Sequence, residues 1–236
     1  MKPFYFKEFT VAQDRCAMKV GTDGVLLGAW VSLENNPNSI LDIGSGTGII
    51  ALQLAQRSNA ETIDGLEIDE NAYEQCVENY ENSPWGDRLF CYHASLSEFA
   101  LEIEEKYDLI ISNPPFHSEN YKTLNNQRNR ARFSDALPFS TLLEGASKLL
   151  SKKGIFAVII PYKEEQHFIE TALRNNLFPK RICRVQGNQN SRIKRSLMEF
   201  TFEKNHSEEK NIIIEIDRNN YTEDYKKLVQ DFYLKM

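Results

Sequence analysis

The chain contains no apolar run approaching the roughly 20 residues that span a bilayer. Its opening residues, MKPFYFKEFT, lack both a continuous apolar stretch and a small-residue cleavage site, so no secretory leader is expected. Cysteine is scarce: Cys16, Cys76, Cys91 and Cys183 are scattered and form no C-x-x-C pair. That spacing speaks against a metal centre and a disulfide framework, and it predicts reduced thiols in the cytoplasm. No internal repeat or low-complexity tract interrupts the sequence. Positive charge is in deficit as well. A net charge of −6 argues against indiscriminate binding to nucleic acid.

What is present is an ordinary globular composition. Over 236 residues, 41% hydrophobic and 26% charged side chains are enough to bury a substantial core. Short apolar runs alternate with amphipathic stretches. Strands are predicted at 39–43, 62–68, 88–93, 106–112 and 155–160, and helices at 48–57, 71–82, 140–150 and 163–175. This alternation predicts an α/β fold, a Rossmann-like doubly wound and mostly parallel sheet with helices on both faces. The last third changes character. Segments 181–186 and 197–203 read as an antiparallel edge pair, 211–216 as another short strand, 221–233 as a terminal helix and 206–210 as a mobile loop. The predicted organisation is one domain over 1–236. It comprises an N-terminal cap segment (1–38), a cofactor-binding core (39–178), and the antiparallel edge with its helix (179–236).

Two motifs carry chemistry. Leu41 to Gly48 reads LDIGSGTG, a strand running into a glycine turn that opens a helix. Gly44, Gly46 and Gly48 allow positive φ and close approach of backbone to a ligand. A dinucleotide-type turn offers the same glycines to a pyrophosphate. Asp42 would repel a pyrophosphate but suits an ammonium group; it could equally stabilise the turn. Glu67, nineteen residues after Gly48, closes the second strand where an acid can accept from both ribose hydroxyls. Ile68 beside it can pack on an adenine face. Asp69 reads as a helix N-cap. Ser95 is placed either to accept from an adenine amino group or to cap a helix, and His93 reads as structural.

The second motif is Asn113-Pro114-Pro115-Phe116 at the end of the fourth strand. The Asn113 side-chain oxygen and the Pro114 carbonyl can both accept from one NH2 group, and the prolines stiffen the loop. Phe116 offers a ring face for stacking, worth about 1–3 kcal/mol per base. The two motifs together predict methylation of the amino nitrogen of a planar substrate, with Asn113, Pro114 and Phe116 as catalytic residues.

Two basic stretches accompany them. Residues 122–135 hold Lys122, Arg128, Arg130 and Arg132 against one acid, a net of +3. Residues 180–204 hold seven basic residues, among them Arg192, Lys194 and Arg195, against Glu199 and Glu203, a net of +5. Such stretches are either solvated faces or the footing of an RNA backbone.

LDIGSGTG and NPPF resemble the class I S-adenosylmethionine-dependent methyltransferases that act on amino groups. Four segments resemble, more narrowly, the bacterial valine-tRNA adenine-37 N6-methyltransferases: FKEFTVAQDRCAMKVGTDGVLLGAWV (6–31), NPPFHSE (113–119), Arg130-Ala131-Arg132, and YTEDYKKLVQDFYL (221–234). The resemblance implies S-adenosylmethionine as cofactor, held by Thr22, Asp42, Gly44, Gly46, Gly48, Glu67, Ile68, Ser95 and Asn113. It implies tRNA as partner, with Arg128, Arg130, Arg132, Arg192, Lys194 and Arg195 as footing, in a cytoplasmic monomer without metal. From the residues alone, Thr22-Asp23-Gly24 reads as a turn or helix cap. His93-Ala94-Ser95 lacks the acid that many superfamily members set against the cofactor adenine. Other substrates with a planar NH2 group stay open: guanine N2 of ribosomal RNA, or a protein glutamine. So does a catalytically idle RNA- or cofactor-binding module.

Overall fold

The fold rests on strands that are apolar on both faces. In a computed structural model, which describes residues 2–115 and 137–236, nine strands form one sheet. A two-stranded antiparallel ribbon, β1 (Phe4–Tyr5) and β2 (Thr10–Val11), precedes it. Helix α1 (Thr22–Trp30) follows. The core then runs β3 (Ser39–Ile43), α2 (Ile49–Arg57), β4 (Thr62–Glu67), α3 (Glu70–Glu81), β5 (Leu89–His93), α4 (Leu96–Glu102) and β6 (Tyr107–Ser112). After it come α5 (Phe139–Leu149), β7 (Leu150–Pro161), a 3-10 turn (Tyr162–Glu164) and α6 (Glu165–Arg174). The chain closes with β8 (Phe178–Asn188), β9 (Ile193–Thr201), β10 (Glu208–Asp217), β11 (Asn220–Tyr221) and α7 (Glu223–Val229).

The strand order is β11-β10-β8-β9-β7-β6-β3-β4-β5. β3 to β7 are parallel, and β9 runs antiparallel to both β7 and β8. β10 runs parallel to β8, and β11 is antiparallel to β10. The expected antiparallel pair exists, but β9 lies inside the sheet and β10 and β11 form the edge. Ile40, Leu109, Ile111, Ile155 and Ala157 face one core with α1, α2, α3 and α7. Leu41, Ile43, Ile110, Phe156 and Val158 face the other with α4, α5 and α6. Covering on both faces is why these strands carry no polar alternation.

Three local expectations need correction. Segment 206–210 is not a loop throughout, because Glu208, Glu209 and Lys210 pair with Arg181, Ile182 and Cys183 as the start of β10. The strand expected at 155–160 is longer, because β7 takes in 150–154 as well, and its register shifts against β6 between Tyr107 and Leu109. The terminal helix is shorter than 221–233, because Tyr221 pairs with Glu215 and Thr222 caps the helix by accepting from the Tyr225 amide. α1 and α4 were not anticipated. Among the described residues, no helix is long and apolar enough to cross a membrane.

β3 leads on to β4 and β5 on one side of the sheet, while β6 and β7 lie on the other. The order therefore reverses between β3 and β6, and the crevice beyond their carboxyl ends is where open α/β sheets bind ligands. The glycine turn and Asn113 both follow strands that end there.

Candidate methyl-transfer site

The glycine turn leaves β3 at Ile43 and enters α2 at Ile49. Gly44, Gly46 and Gly48 have φ of 75°, 55° and 76°, in the left-handed region that disfavours other residues. A Cβ on Gly44 or Gly46 would meet nothing within 4 Å, so these two open onto free space. Gly48 differs: a Cβ there would lie 2.5 Å from Tyr80 Cε1. The amides of Gly44 and Ser45 donate to the Leu66 carbonyl at 2.8 and 3.0 Å, and the Asn79 amide donates to the Thr47 carbonyl at 2.8 Å. Ser112 Oγ donates to the Ile43 carbonyl at 2.8 Å, tying the end of β6 to the end of β3.

The Glu67 carboxylate lies directly against this turn. It accepts from the Gly46 amide at 2.8 Å and from the Ile68 and Asp69 amides at 2.9 Å each. Three bonds leave acceptor capacity on a group with about four lone-pair sites. Ile68 beside it is 54% exposed, an uncovered apolar surface at the mouth of the crevice.

Asp42 is 0% exposed, and neither of its oxygens has a hydrogen-bond partner of good geometry among the described residues. Burial pushes its carboxyl up to about 7; the Ala51 amide opposes this and the Glu67 charge adds to it. Asn113 Oδ1 is likewise buried without a partner. Buried polar atoms are nearly always satisfied, so two orphaned acceptors at one switch point call for a ligand carrying donors.

The remaining predicted residues divide. Thr22 is exposed in the first turn of α1, and that turn reaches the site: a Cβ on Gly24 would stand 4.0 Å from Asn113 Nδ2. Pro114 is buried behind Asn113. Asp69 is the N-cap of α3, accepting from the Ala72 amide at 2.9 Å. Ser95 forms a capping box with Glu98, so its hydroxyl already serves α4. His93 stacks on Tyr73 at 5.2 Å and bonds the Ile68 carbonyl, a structural arrangement. Arg192 and Lys194 are exposed and form no ion pair among the described residues. Arg195 Nε instead donates to Asp23 Oδ2 at 2.8 Å. Phe116, Lys122, Arg128, Arg130 and Arg132 lie outside the described residues.

Sequence reasoning missed Asn79, which joins the glycine turn to Ala12 through bonds of 2.8 Å in both directions. A signal was available: Ala72, Gln75, Cys76, Asn79 and Tyr80 form one buried stripe of α3, and polar residues on such a stripe need partners.

Known proteins resemble this chain in sequence and in fold. Residues 24–178 match the family model described as "Methyltransferase small domain". A protein of Christiangramia forsetii named tRNA1(Val) (adenine(37)-N6)-methyltransferase is 63% identical over all of this chain and 99% of its own length. A Pseudoalteromonas translucida protein of the same name is 43% identical, with all of both chains covered. Among solved structures, an Agrobacterium tumefaciens protein described as a predicted O-methyltransferase superposes with a TM-score of 0.68 at 16% identity, covering 89% of this chain and 96% of its own. A ribosomal protein L11 methylase from Lactobacillus delbrueckii gives 0.53 at 14% identity, covering 78% and 77%. These last two speak for the class I methyltransferase fold alone.

The family implies S-adenosyl-L-methionine as cofactor, and the residues present fit it. The orphaned Asp42 carboxylate suits a buried ammonium, the open backbone at Gly44 and Gly46 admits close approach, and Glu67 has capacity for hydroxyl donors. With motif, fold and full-length relatives in agreement, this chain belongs to the tRNA1(Val) (adenine(37)-N6)-methyltransferase family, within the methyltransferase small-domain group.

Proposed function

We propose that this enzyme methylates N6 of the adenine at position 37 of a valine tRNA, using S-adenosyl-L-methionine, as its relatives are named for doing. The observation that carries the reading is Asn113 Oδ1, a buried acceptor with no partner at the carboxyl end of β6. An exocyclic NH2 group supplies the donor that this oxygen lacks. The Pro114 carbonyl is the second acceptor, and holding both hydrogens turns the nitrogen lone pair away from the ring plane. Phe116 would stack on the base, which has to leave its own stack to reach the pocket.

The bound cofactor supplies a methyl group already activated on a sulfonium. Asp42, Gly44, Gly46 and Glu67 would hold and orient it, with Thr22 available to its methionine end and Ile68 to its adenine. Catalysis is therefore chiefly alignment of nucleophile and methyl in line, with the amino proton released to water after transfer. Arg192 and Lys194, with Arg128, Arg130 and Arg132, are the cations we assign to RNA phosphates. Such contacts position the RNA without reading its sequence. Acting on tRNA, the enzyme works as a monomer in the cytoplasm.

The test is to incubate the protein with labelled S-adenosyl-L-methionine and RNA from cells lacking it, then identify the labelled nucleoside. N6-methyladenosine in the tRNA fraction is the expected result. Label in N2-methylguanosine of ribosomal RNA, in protein glutamine, or in nothing at all would overturn the proposed substrate.

A further inference from the structure

Helix α1 lies alongside α2, and its two ends are held very differently. The carboxyl end is fixed three times. Arg57 donates to the Gly28 and Val31 carbonyls at 2.6 and 3.0 Å. The Ser32 amide donates to the buried Glu199 carboxylate at 2.7 Å, and the Arg181 guanidinium sits 4.5 Å from the Trp30 ring centroid. The amino end is the one that reaches the site. A Cβ on Gly24 would lie 3.3 Å from Ile49 Cγ2, at the start of α2, and 4.0 Å from Asn113 Nδ2. Yet its N-cap, Gly21, contributes no side-chain bond, and Thr22 is exposed.

Among the described residues, a side-chain tether at this end joins Asp23 to Arg195, 2.8 Å across 172 positions of sequence. Arg195 stands in β9 opposite Pro161, the last residue of β7, and its Nη1 also donates to the Lys194 carbonyl at 3.1 Å. The pair thus bridges the site end of the sheet to the helix turn that lies beside Asn113, where a Cβ on Gly24 would come within 4.0 Å of its Nδ2. Its side chains are 31% and 27% exposed, and partly exposed pairs contribute little to global stability. A small loss of alignment at a reacting centre, by contrast, is costly.

We propose that Arg195 is a positioning residue for methyl transfer: through Asp23 it fixes the first turn of α1 against Asn113. This assigns its guanidinium to the geometry of the site and not to an RNA phosphate. The inference rests on the reading of Asn113 as the acceptor for the amino group. Arg192 and Lys194, its exposed neighbours, keep the RNA-facing assignment.

The experiment compares Arg195→Ala, Asp23→Ala and the double variant with the wild-type enzyme. It follows kcat, KM for cofactor and for tRNA, RNA affinity against salt, and amide exchange of Val25, whose N–H bonds to the Gly21 carbonyl. Each single variant should lower kcat about tenfold or more. The double should be no worse than the poorer single, since the two residues act as one unit. Val25 should exchange faster in both singles, the salt slope of RNA binding should stay at its wild-type value, and Arg195→Lys should recover part of the rate. The proposal is overturned if Arg195→Ala lowers the salt slope by about one while Asp23→Ala is silent, which would make Arg195 a phosphate ligand. Wild-type kcat in both single variants overturns it equally. A wild-type protein that methylates no adenine would remove the proposed function. Val25 exchange would still judge the tether, with faster exchange in both singles supporting it and unchanged exchange refuting it.

Discussion

Two parts of this molecule bury charge, and they treat it in opposite ways. In the wing formed by β8, β9 and α6, Glu165 accepts from Arg184 Nε at 3.0 Å, from Arg184 Nη2 at 2.7 Å and from the buried Ser196 hydroxyl. Arg184 also reaches Glu209 at 2.7 Å. Glu199, 0% exposed, accepts from Arg181 at 3.1 Å and from the Ser32 amide at 2.7 Å. At the ends of β3 and β6, the Asp42 carboxyl and Asn113 Oδ1 are equally inaccessible and have no hydrogen-bond partner of good geometry among the described residues. A satisfied buried network specifies structure; an unsatisfied one is sustained by the rest of the fold and marks where a ligand supplies the missing donors. Polar groups of the same kind are thus satisfied within the fold in one place and, under the proposed function, left for a ligand in the other.

This contrast can be broken deliberately. The largest expected effect on stability is Glu199→Ala, which leaves the Arg181 guanidinium and the Ser32 amide without their acceptor. Urea denaturation should show a loss of about 3–5 kcal/mol, the usual cost of removing one partner from a buried pair. A loss under about 1 kcal/mol would place the wing's charges among ordinary surface pairs.

Gly48→Ala should cost somewhat less, about 2–4 kcal/mol, by forcing a side chain into positive φ and against Tyr80. Gly46→Ala shares the positive φ but meets nothing within 4 Å. It should therefore be milder in thermal unfolding and more severe in cofactor binding. The reverse order would contradict the assignment of Gly46 to the ligand side.

Asp42→Asn sharpens the comparison because it should stabilise the free protein, on the order of a few kcal/mol, while weakening cofactor binding. The sign follows from its carboxyl, which stands at about 7 in the fold against 3.8 in an ordinary setting. Between those values the native state holds a proton that the unfolded state has released, so this group's contribution falls as pH rises. Below about pH 4 wild type and variant should differ least; above pH 7 the variant should be more stable by its full margin. Thermal melts from pH 4 to 8 check this, and a margin that shrinks with rising pH would refute the origin of the shift.

Smallest is the effect of replacing Arg192 and Lys194 together with Ala. RNA affinity should fall modestly, and the salt slope should drop by roughly 0.9 for each phosphate left without its cation. A slope equal to that of the wild type would return both residues to the category of a solvated turn.

Much of this was legible in the chain. The strands at 39–43, 62–68 and 106–112 matched β3, β4 and β6 to within a residue, because Ile40, Leu41, Ile63, Leu109 and Ile110 are apolar toward two helical layers. Asp69 announced its cap by position, and NPPF and LDIGSGTG each follow a strand that ends at the same crevice. Other parts were hidden for physical reasons. α1 is apolar almost all round, with residues 24–29 buried, so it offered no helical periodicity to read. Ser95 carried two equal readings, and the structure shows the capping box. Segment 208–210 is polar enough to read as a loop, but its backbone pairs with β8 and Glu209 meets Arg184. Arg195 looked like its neighbours because charge in a sequence does not reveal a partner 172 residues away.

Under the proposed function, the unpartnered oxygen of Asn113 exists for the substrate and not for the fold. Asn113→Ala tests it most directly, with turnover on tRNA, calorimetric cofactor affinity and thermal stability measured on one preparation. Turnover should fall about 10²–10³-fold in kcat, the usual cost of one preorganised hydrogen-bonding group. Cofactor affinity should stay within a few-fold of wild type and Tm should be unchanged. A loss of cofactor affinity as large as that of Glu67→Ala, or a lowered Tm with kcat intact, would contradict it.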